Sequence, residues 1–299
     1  MQEPFFSIVI PSYNRGHLVG EVIGRALDQT FGDFEIIVVD DGSTDNTREI
    51  VSSFSDTRLR YFYQDNRERA AARNKGVEIA AGRYVTFCDS DDRLFPFYLE
   101  EAMMLIKRNG EIPWLHIGYE ILRSGRPVLK MNAAYFDFTG ILAKGNPLSC
   151  LGVFVRKDIF MKHRFNEDRQ LSGSEDWELW LRLSAHYRII CSKRTCAALV
   201  LHPDRSVIHT TELKLQLRKF LSINYALEDE VAMAVYKRHL DKMYAYFDTY
   251  IALHLVLGQN SVPAIKYVLK AFKRYPPSIF TRRMLAMIKL TFFNLFNIR

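Results

Sequence analysis

Three stretches in the first hundred residues end in groups suited to holding a cation or a polar ligand. Phe6-Ser7-Ile8-Val9-Ile10 runs into Pro11-Ser12-Tyr13-Asn14. Glu35-Ile36-Ile37-Val38-Val39 runs into Asp40-Asp41-Gly42-Ser43. Tyr84-Val85-Thr86-Phe87-Cys88 runs into Asp89-Ser90-Asp91-Asp92. Strands that finish in carboxylates gather them along one edge of a parallel sheet, and open α/β sheets bind their ligands at that edge. Asp89, Asp91 and Asp92 crowd three negative charges into four residues, which calls for a cation, and hard oxygen ligands suit Mg2+ or Mn2+.

Positioning such an edge requires strands that alternate with helices. Residues 6–10 read as the first strand and 17–29 as a helix with Leu18, Val22, Ile23, Ala26 and Leu27 on one face. Residues 34–39, almost wholly apolar, suit a central parallel strand covered on both sides. Gly42 permits a tight turn, and Ser43, Thr44 and Asp45 are candidate N-caps for a helix reaching about Phe54. A third strand is expected over Leu59–Gln64, a helix over Arg69–Ala80 closed by Gly82, and a fourth strand over Tyr84–Cys88. This alternation predicts βαβ units and a Rossmann-like, mostly parallel α/β sheet flanked by helices. Further on, 112–123 and 128–131 suit strands around Ser124-Gly125, and 133–147 reads as a loop. Leu151–Val155 suits a strand, Glu175–Ala185 a helix and Tyr187–Ala198 a strand. From Thr211 the pattern is helical, interrupted near Gly258 and at Pro276-Pro277, so the boundary between 1–210 and a C-terminal helical region, 211–299, is set near residue 210.

Composition is that of a globular protein, with 48% hydrophobic and 25% charged residues over 299 positions. The net charge of +7 has a local source. No acidic residue follows Asp248, whereas Lys266, Lys270, Lys273, Arg274, Arg282, Arg283, Lys289 and Arg299 do. Cys88, Cys150, Cys191 and Cys196 form no C-x-x-C pair, so reduced thiols in a cytoplasmic protein are expected rather than a zinc site. The amino-terminal residues carry no basic segment ahead of their apolar run, unlike a signal peptide. No apolar run reaches the ~18 residues of a spanning helix.

Ser7-Ile8-Val9-Ile10-Pro11-Ser12-Tyr13-Asn14-Arg15, Val38-Val39-Asp40-Asp41-Gly42-Ser43-Thr44-Asp45, Ala72-Arg73-Asn74-Lys75-Gly76 and Asp89-Ser90-Asp91-Asp92, in this order, strongly resemble the family 2 glycosyltransferases of GT-A fold. The likeness is close over residues 6 to about 100 and continues more thinly through Ser174-Glu175-Asp176-Trp177-Glu178-Leu179-Trp180-Leu181-Arg182-Leu183. It implies an inverting, metal-dependent transferase that uses a nucleotide-sugar donor, with 1–210 as its catalytic domain. Pro11 and Tyr13 would line the nucleoside pocket. Asp41 would accept a hydrogen bond from a uracil or thymine ring N–H, supported by Asp40, and Arg73 would meet the diphosphate or sugar. Glu68 departs from the glycine common in relatives, which puts the loop ahead of Arg73 in question. Asp89-Ser90-Asp91 resembles the family's D-x-D motif, with Asp91 as the direct ligand of Mn2+ or Mg2+ and Asp89 toward the sugar or ribose. The Glu175-Asp176 pair resembles the family's acidic pair, with Asp176 as catalytic base for the acceptor hydroxyl. His202, within His202-Pro203-Asp204-Arg205-Ser206, would reach the metal or pyrophosphate.

The basic tail has two readings. Pro263–Tyr275 sets Ile265, Val268, Leu269 and Phe272 against Lys266, Lys270, Lys273 and Arg274, and Arg282–Phe296 adds Phe292, Phe293, Leu295 and Phe296. Such segments suit a helix lying on an anionic membrane, which would keep the enzyme on the inner face of the cell membrane beside a glycan or lipid-linked acceptor in cell-surface polysaccharide or glycolipid synthesis. The other reading is a helix pair packed on the catalytic domain with a solvated basic face. Nucleic acid is not an expected partner, since the aromatics follow no RNA-binding motif. Two other functions stay in view: a catalytically degenerate scaffold of the same fold, against which the retained carboxylates argue, and a nucleotidyltransferase, for which Pro11-Ser12-Tyr13-Asn14 lacks the glycine-rich loop.

Overall fold

The computed structural model describes residues 3–131, 137–202, 211–258 and 261–296. Its strands are β1 (Phe6–Ser12), β2 (Phe34–Asp41), β3 (Leu59–Gln64), β4 (Tyr84–Phe87), β5 (Arg93–Leu94), β6 (Trp114–Arg123), β7 (Arg126–Met131), β8 (Val153–Arg156) and β9 (Ile189–Leu201). The helices are α1 (Gly16–Leu27), α2 (Thr47–Ser52), α3 (Glu68–Ile79), α4 (Tyr98–Asn109), α5 (Phe138–Leu142), α6 (Lys157–Lys162), α7 (Glu175–His186), α8 (Glu212–Ala226), α9 (Glu230–Tyr236), α10 (Leu240–Leu257), α11 (Ser261–Arg274) and α12 (Arg282–Phe296).

The strands join in the order β3-β2-β1-β4-β8-β6-β9-β5, with β7 paired to β6. β3, β2, β1 and β4 are mutually parallel, and β8 runs antiparallel between β4 and β6. The expected Rossmann-like half is therefore the parallel half of a mixed sheet. Every residue of β1 and β2 is buried. Successive side chains of a strand point to opposite faces, so Val9, Ile37 and Val39 enter one core while Ile8, Ile10, Ile36 and Val38 enter the other.

The loops after β1 and β2 hold each other. Asn14, at φ +51°, receives the Thr44 amide on its Oδ1 at 2.8 Å and donates its own amide to Ser43 Oγ at 2.9 Å. Asp45 receives the Gly16 amide on Oδ2 and the Thr47 amide on Oδ1, both at 3.0 Å, and so steadies the starts of α1 and α2. Gly82 is not the helix cap that was expected. The chain turns extended at Ala80, and Gly82 is needed because a Cβ there would lie 2.7 Å from the Phe6 carbonyl carbon.

The middle of the chain differs from the sequence reading in three places. Helix α4 and the short strand β5 fall where no element was expected. Of the loop expected over 133–147, residues 138–142 form α5, whose start is capped by Asp137 accepting the Gly140 amide at 2.9 Å; residues 133–136 lie outside the described residues. Residues 150–152 are a 3-10 turn, so β8 begins at Val153. The β6–β7 hairpin closes at Ser124-Gly125, where both φ angles are positive, as a two-residue type I′ turn requires.

The C-terminal helices join the molecule at two levels. Ile223, Ala226, Ala232, Tyr236 and Met243 belong to the core beneath the sheet. A separate cluster, including Leu215, Ile251, Leu255, Ala264, Tyr267 and Met287, knits α8, α10, α11 and α12 together. Helix α11 packs through Ala264, Tyr267 and Ala271, and Val262, Ile265, Leu269 and Phe272 are left as an exposed apolar stripe. The side chains of Phe292, Phe293, Leu295 and Phe296 lie outside the described residues. Among the described residues no helix is long and apolar enough to cross a membrane.

Candidate active site

A cavity of about 800 Å³ opens at the carboxyl edge of β1, β2 and β4. Pro11, Ser12 and Tyr13 reach it from β1, Asp41 from β2, and Asp89, Ser90 and Asp91 from the turn after β4. Tyr13 is half exposed, leaving a ring face for stacking. Asp41 is buried, and its Oδ1 accepts from Gln64 Nε2 at 2.7 Å and from the Arg67 amide at 2.9 Å. Burial holds its carboxyl above the usual range, against those hydrogen bonds. Asp40, one residue back, turns away from the cavity. Its Oδ2 accepts the Tyr61 hydroxyl at 2.6 Å and its Oδ1 the Ser43 amide at 2.8 Å, so it braces the strand end.

Asp89, Asp91 and Asp92 bring one carboxylate oxygen each within 4.8 Å of one another. Two features fix this turn. The two residues of β5 pair with Ala197 and Ala198 of β9, and Asp92 Oδ1 accepts the Val200 amide at 3.2 Å. The same pairing carries the end of β9 across the turn and sets His202 Nε2 at 2.9 Å from Asp91 Oδ2. Pro203, Asp204, Arg205 and Ser206, the rest of that motif, lie outside the described residues. A set of hard carboxylate oxygens with one imidazole beside it fits Mn2+ or Mg2+.

Arg73 is placed differently from the sequence reading. It is 2% exposed and absent from the cavity wall. Its Nη2 donates to Asp89 Oδ1 at 2.6 Å and its Nη1 to Glu175 Oε1 at 2.8 Å. The cause lies in α3. Ala70, Ala71 and Ala72 are buried, and a Cβ on Gly76 would sit 2.3 Å from Val9 Cγ1, so the helix packs close to β1 and its arginine enters the interior. Arg69, one turn earlier, lines the cavity instead. Glu68 takes φ +72°, the left-handed conformation for which glycine is the usual residue.

Glu175 and Asp176 divide their work. Glu175 is buried and engaged by Arg73 and by the Gly173 amide at 2.6 Å. Burial raises its pKa, but Arg69, Arg73 and the backbone bonds bring the net value below the ordinary one. Asp176 accepts from its neighbour's amide, Trp177 N, at 2.7 Å and from Asn146 Nδ2 at 2.8 Å. Burial and the adjacent Glu175 push its carboxyl up to about 6. Asp176 lines a second cavity of about 210 Å³, together with Trp177, Lys219, Tyr246, Tyr250 and Arg283. One strip of residues divides between the two cavities: Ser172 and Arg218 line the larger one and Gly173 and Lys219 the smaller.

Of the residues singled out by sequence, the structure gathers Pro11, Tyr13, Asp41, Asp89 and Asp91 on one cavity, brings His202 to Asp91, keeps Asp40 and Arg73 behind the wall, and gives Asp176 to the second cavity. Sequence reasoning missed Arg69, Arg169, Lys214 and Arg218 on the larger cavity and Lys219 and Arg283 on the smaller. Arg69 carried a signal, four residues before Arg73 on the same helix. The others come from segments distant in sequence whose convergence no local pattern encodes.

The sequence model of "Glycosyl transferase family 2" matches residues 7–153. The chain is 33% identical over 202 residues to the Escherichia coli UDP-Glc:alpha-D-GlcNAc-diphosphoundecaprenol beta-1,3-glucosyltransferase WfgD, covering 64% of this chain and 78% of that protein. Against three other curated glycosyltransferases it spans only 26–30% of their length. Among solved structures it is similar to S. aureus TarS residues 1–349 in complex with UDP-GlcNAc, with TM-score 0.63, 18% identity and 91% of each chain covered. It is also similar to the mannosyltransferase PcManGT from Pyrobaculum calidifontis in complex with GDP-Man and Mn2+, with TM-score 0.57, 18% identity, and 100% of this chain and 89% of that one covered. At such identity these two likenesses speak to the fold alone.

Proposed function

The chain belongs to glycosyl transferase family 2, and from that premise we propose that it moves a sugar, with inversion, from a UDP- or dTDP-linked donor to a hydroxyl of a glycan or lipid-linked acceptor. The observation that carries this reading is the presence of an acidic, cation-ready edge on the larger cavity and a carboxylate of raised pKa, Asp176, on the smaller one, with Arg73 bridging Asp89 of the first to Glu175, the neighbour of the second.

Tyr13 and Pro11 would receive the nucleoside, with Asp41 accepting the ring N–H of the base. Asp91, His202 and the neighbouring carboxylates would hold Mn2+ or Mg2+. When bound, that ion offsets the charge that builds on the leaving diphosphate. Arg69 and Arg218 face the same space and would add positive potential there. Asp176 would take the acceptor proton as the hydroxyl attacks the anomeric carbon. A group that titrates near 6 is ionised at neutral pH and still basic enough to accept a proton there. A single base with direct displacement supports inversion.

WfgD is named for a diphosphoundecaprenol-linked sugar as its acceptor, which supports a lipid-linked acceptor and a role in cell-surface polysaccharide or glycolipid synthesis. The exposed stripe Val262, Ile265, Leu269 and Phe272, flanked by Lys266 and Lys273, supports peripheral attachment to the inner face of the cell membrane. A panel of UDP- and dTDP-sugars, assayed for nucleoside diphosphate release with Mn2+ or Mg2+, tests the reading. Release of nucleoside diphosphate from one or a few donors, stopped by EDTA, is expected. The absence of both release and metal-dependent binding across the panel would contradict it.

A further inference from the structure

We propose that the smaller cavity recognises a phosphate or diphosphate on the acceptor, with Lys219 and Arg283 as the anion-binding pair beside Asp176. The inference rests on the transferase reading and assigns the acceptor side of that site.

Charge balance is the first ground. The cavity wall carries three cationic side chains, Lys144, Lys219 and Arg283, and Asp176 is its one acidic residue. The state of Lys219 is the second. Its ammonium lies over the Trp177 ring at 4.7 Å and the Tyr250 ring at 5.1 Å, with no hydrogen bond or ion pair among the described residues. Burial lowers its pKa to about 8, with Arg218 and Arg283 acting in the same direction and Asp176 in the opposite one. Lys219 is half-buried, and cations partly withdrawn from water are ordinarily paired, so Lys219 is set up for an anion that arrives with a ligand.

Arg283 is the third ground. Its Nη1 is fixed by the Tyr246 carbonyl at 2.8 Å and Thr249 Oγ1 at 2.9 Å, while its guanidinium lies 5.6 Å from the Tyr250 ring centre. Nη2 and Nε have no hydrogen bond among the described residues. An immobilised guanidinium with unused donors suits a phosphate oxygen pair. The aromatic flanks, Trp177 and Tyr250, suit the apolar face of a sugar. A diphosphate seated here would put the sugar it carries beside Asp176, whereas a neutral glycoside would leave both cations without an anion.

The test is calorimetric titration of inorganic phosphate into the full chain at constant ionic strength, with UDP and Mg2+ present to fill the larger cavity. Saturable binding is expected. It should weaken by roughly ten-fold or more in Lys219→Met and in Arg283→Gln, return in Lys219→Arg, and stay unchanged in Lys130→Gln, which lies on the outer hairpin. A parallel titration with dodecyl phosphate in neutral detergent micelles separates the sources. Tighter binding than inorganic phosphate assigns the anion to a lipid-linked acceptor, and equal binding to a soluble phosphorylated one. No saturable binding, or binding that Lys219→Met and Arg283→Gln leave intact, overturns the inference. If UDP and Mg2+ still bind in that case, the transferase reading survives it.

Discussion

At the scale of residues, the account turns on Arg73. It was expected at the diphosphate or sugar and instead bridges Asp89, in the acidic turn after β4, to Glu175, next to the proposed base Asp176. Its place near the site was legible in the sequence. Its direction was not, because that depends on how closely three alanines and Gly76 let α3 approach β1. Arg73→Ala would take the nearest cation from buried Glu175, leaving it Arg69 Nε at 4.0 Å and the Gly173 amide at 2.6 Å, and breaking a buried pair typically costs about 3–5 kcal/mol. Urea unfolding should show a loss of that order, and a loss below about 1 kcal/mol would mean that the bridge carries little of the stability. Asp91 makes the opposite kind of prediction. Asp91→Asn should leave the unfolding midpoint near that of the parent and remove most Mn2+-dependent nucleotide affinity. Calorimetry of UDP with and without Mn2+ checks it, and an unchanged metal dependence would move the ion elsewhere.

At the scale of elements, the β1–β4 half was readable because each strand is a short, mostly apolar or aromatic run that leads into polar residues, and the structure places all four within a few residues of the expected limits. The antiparallel insertion of β8 was not readable, since strand order is set by long-range pairing that local pattern does not record. Helix α4 did carry a signal, Leu99, Ala102 and Ile106 at helical spacing, whereas the five residues of α5 are too few for a period to show. The strip between the cavities is the element with the most specific demand. Gly173 has φ +88°, and a Cβ there would sit 2.8 Å from Arg218 Nη1. Gly173→Ala should destabilise by about 1–3 kcal/mol and shift Arg218, reducing donor and acceptor use together. Equal activity and stability in that variant, by thermal melting and donor turnover, would show that the strip tolerates a side chain.

At the scale of the whole molecule, the surplus positive charge has two destinations. Arg283 turns inward to the smaller cavity, while Lys266 and Lys273 stay outside with the apolar stripe of α11. The sequence showed the charge and its amphipathic spacing, but not that Tyr267 and the two alanines would be the packed side of the helix. Reversible binding to anionic vesicles is expected, weakened by salt because each exposed cation contributes about 1 kcal/mol at most. Co-sedimentation of the full chain and of an Ile265→Glu, Leu269→Glu variant checks it; equal partition of both, or of neither, removes the membrane from the account. The central claim, that one donor cavity and one carboxylate base work together, is tested most directly by the pH dependence of donor turnover in the parent chain and in Asp176→Asn. The base must be ionised to accept a proton, so the parent rate should rise with pH through about 6 and then level off. In Asp176→Asn it should fall by about 10²–10⁴-fold and lose that rise, while UDP and Mn2+ bind as before. Near-parent turnover in Asp176→Asn, with the rise through pH 6 retained, would contradict the account.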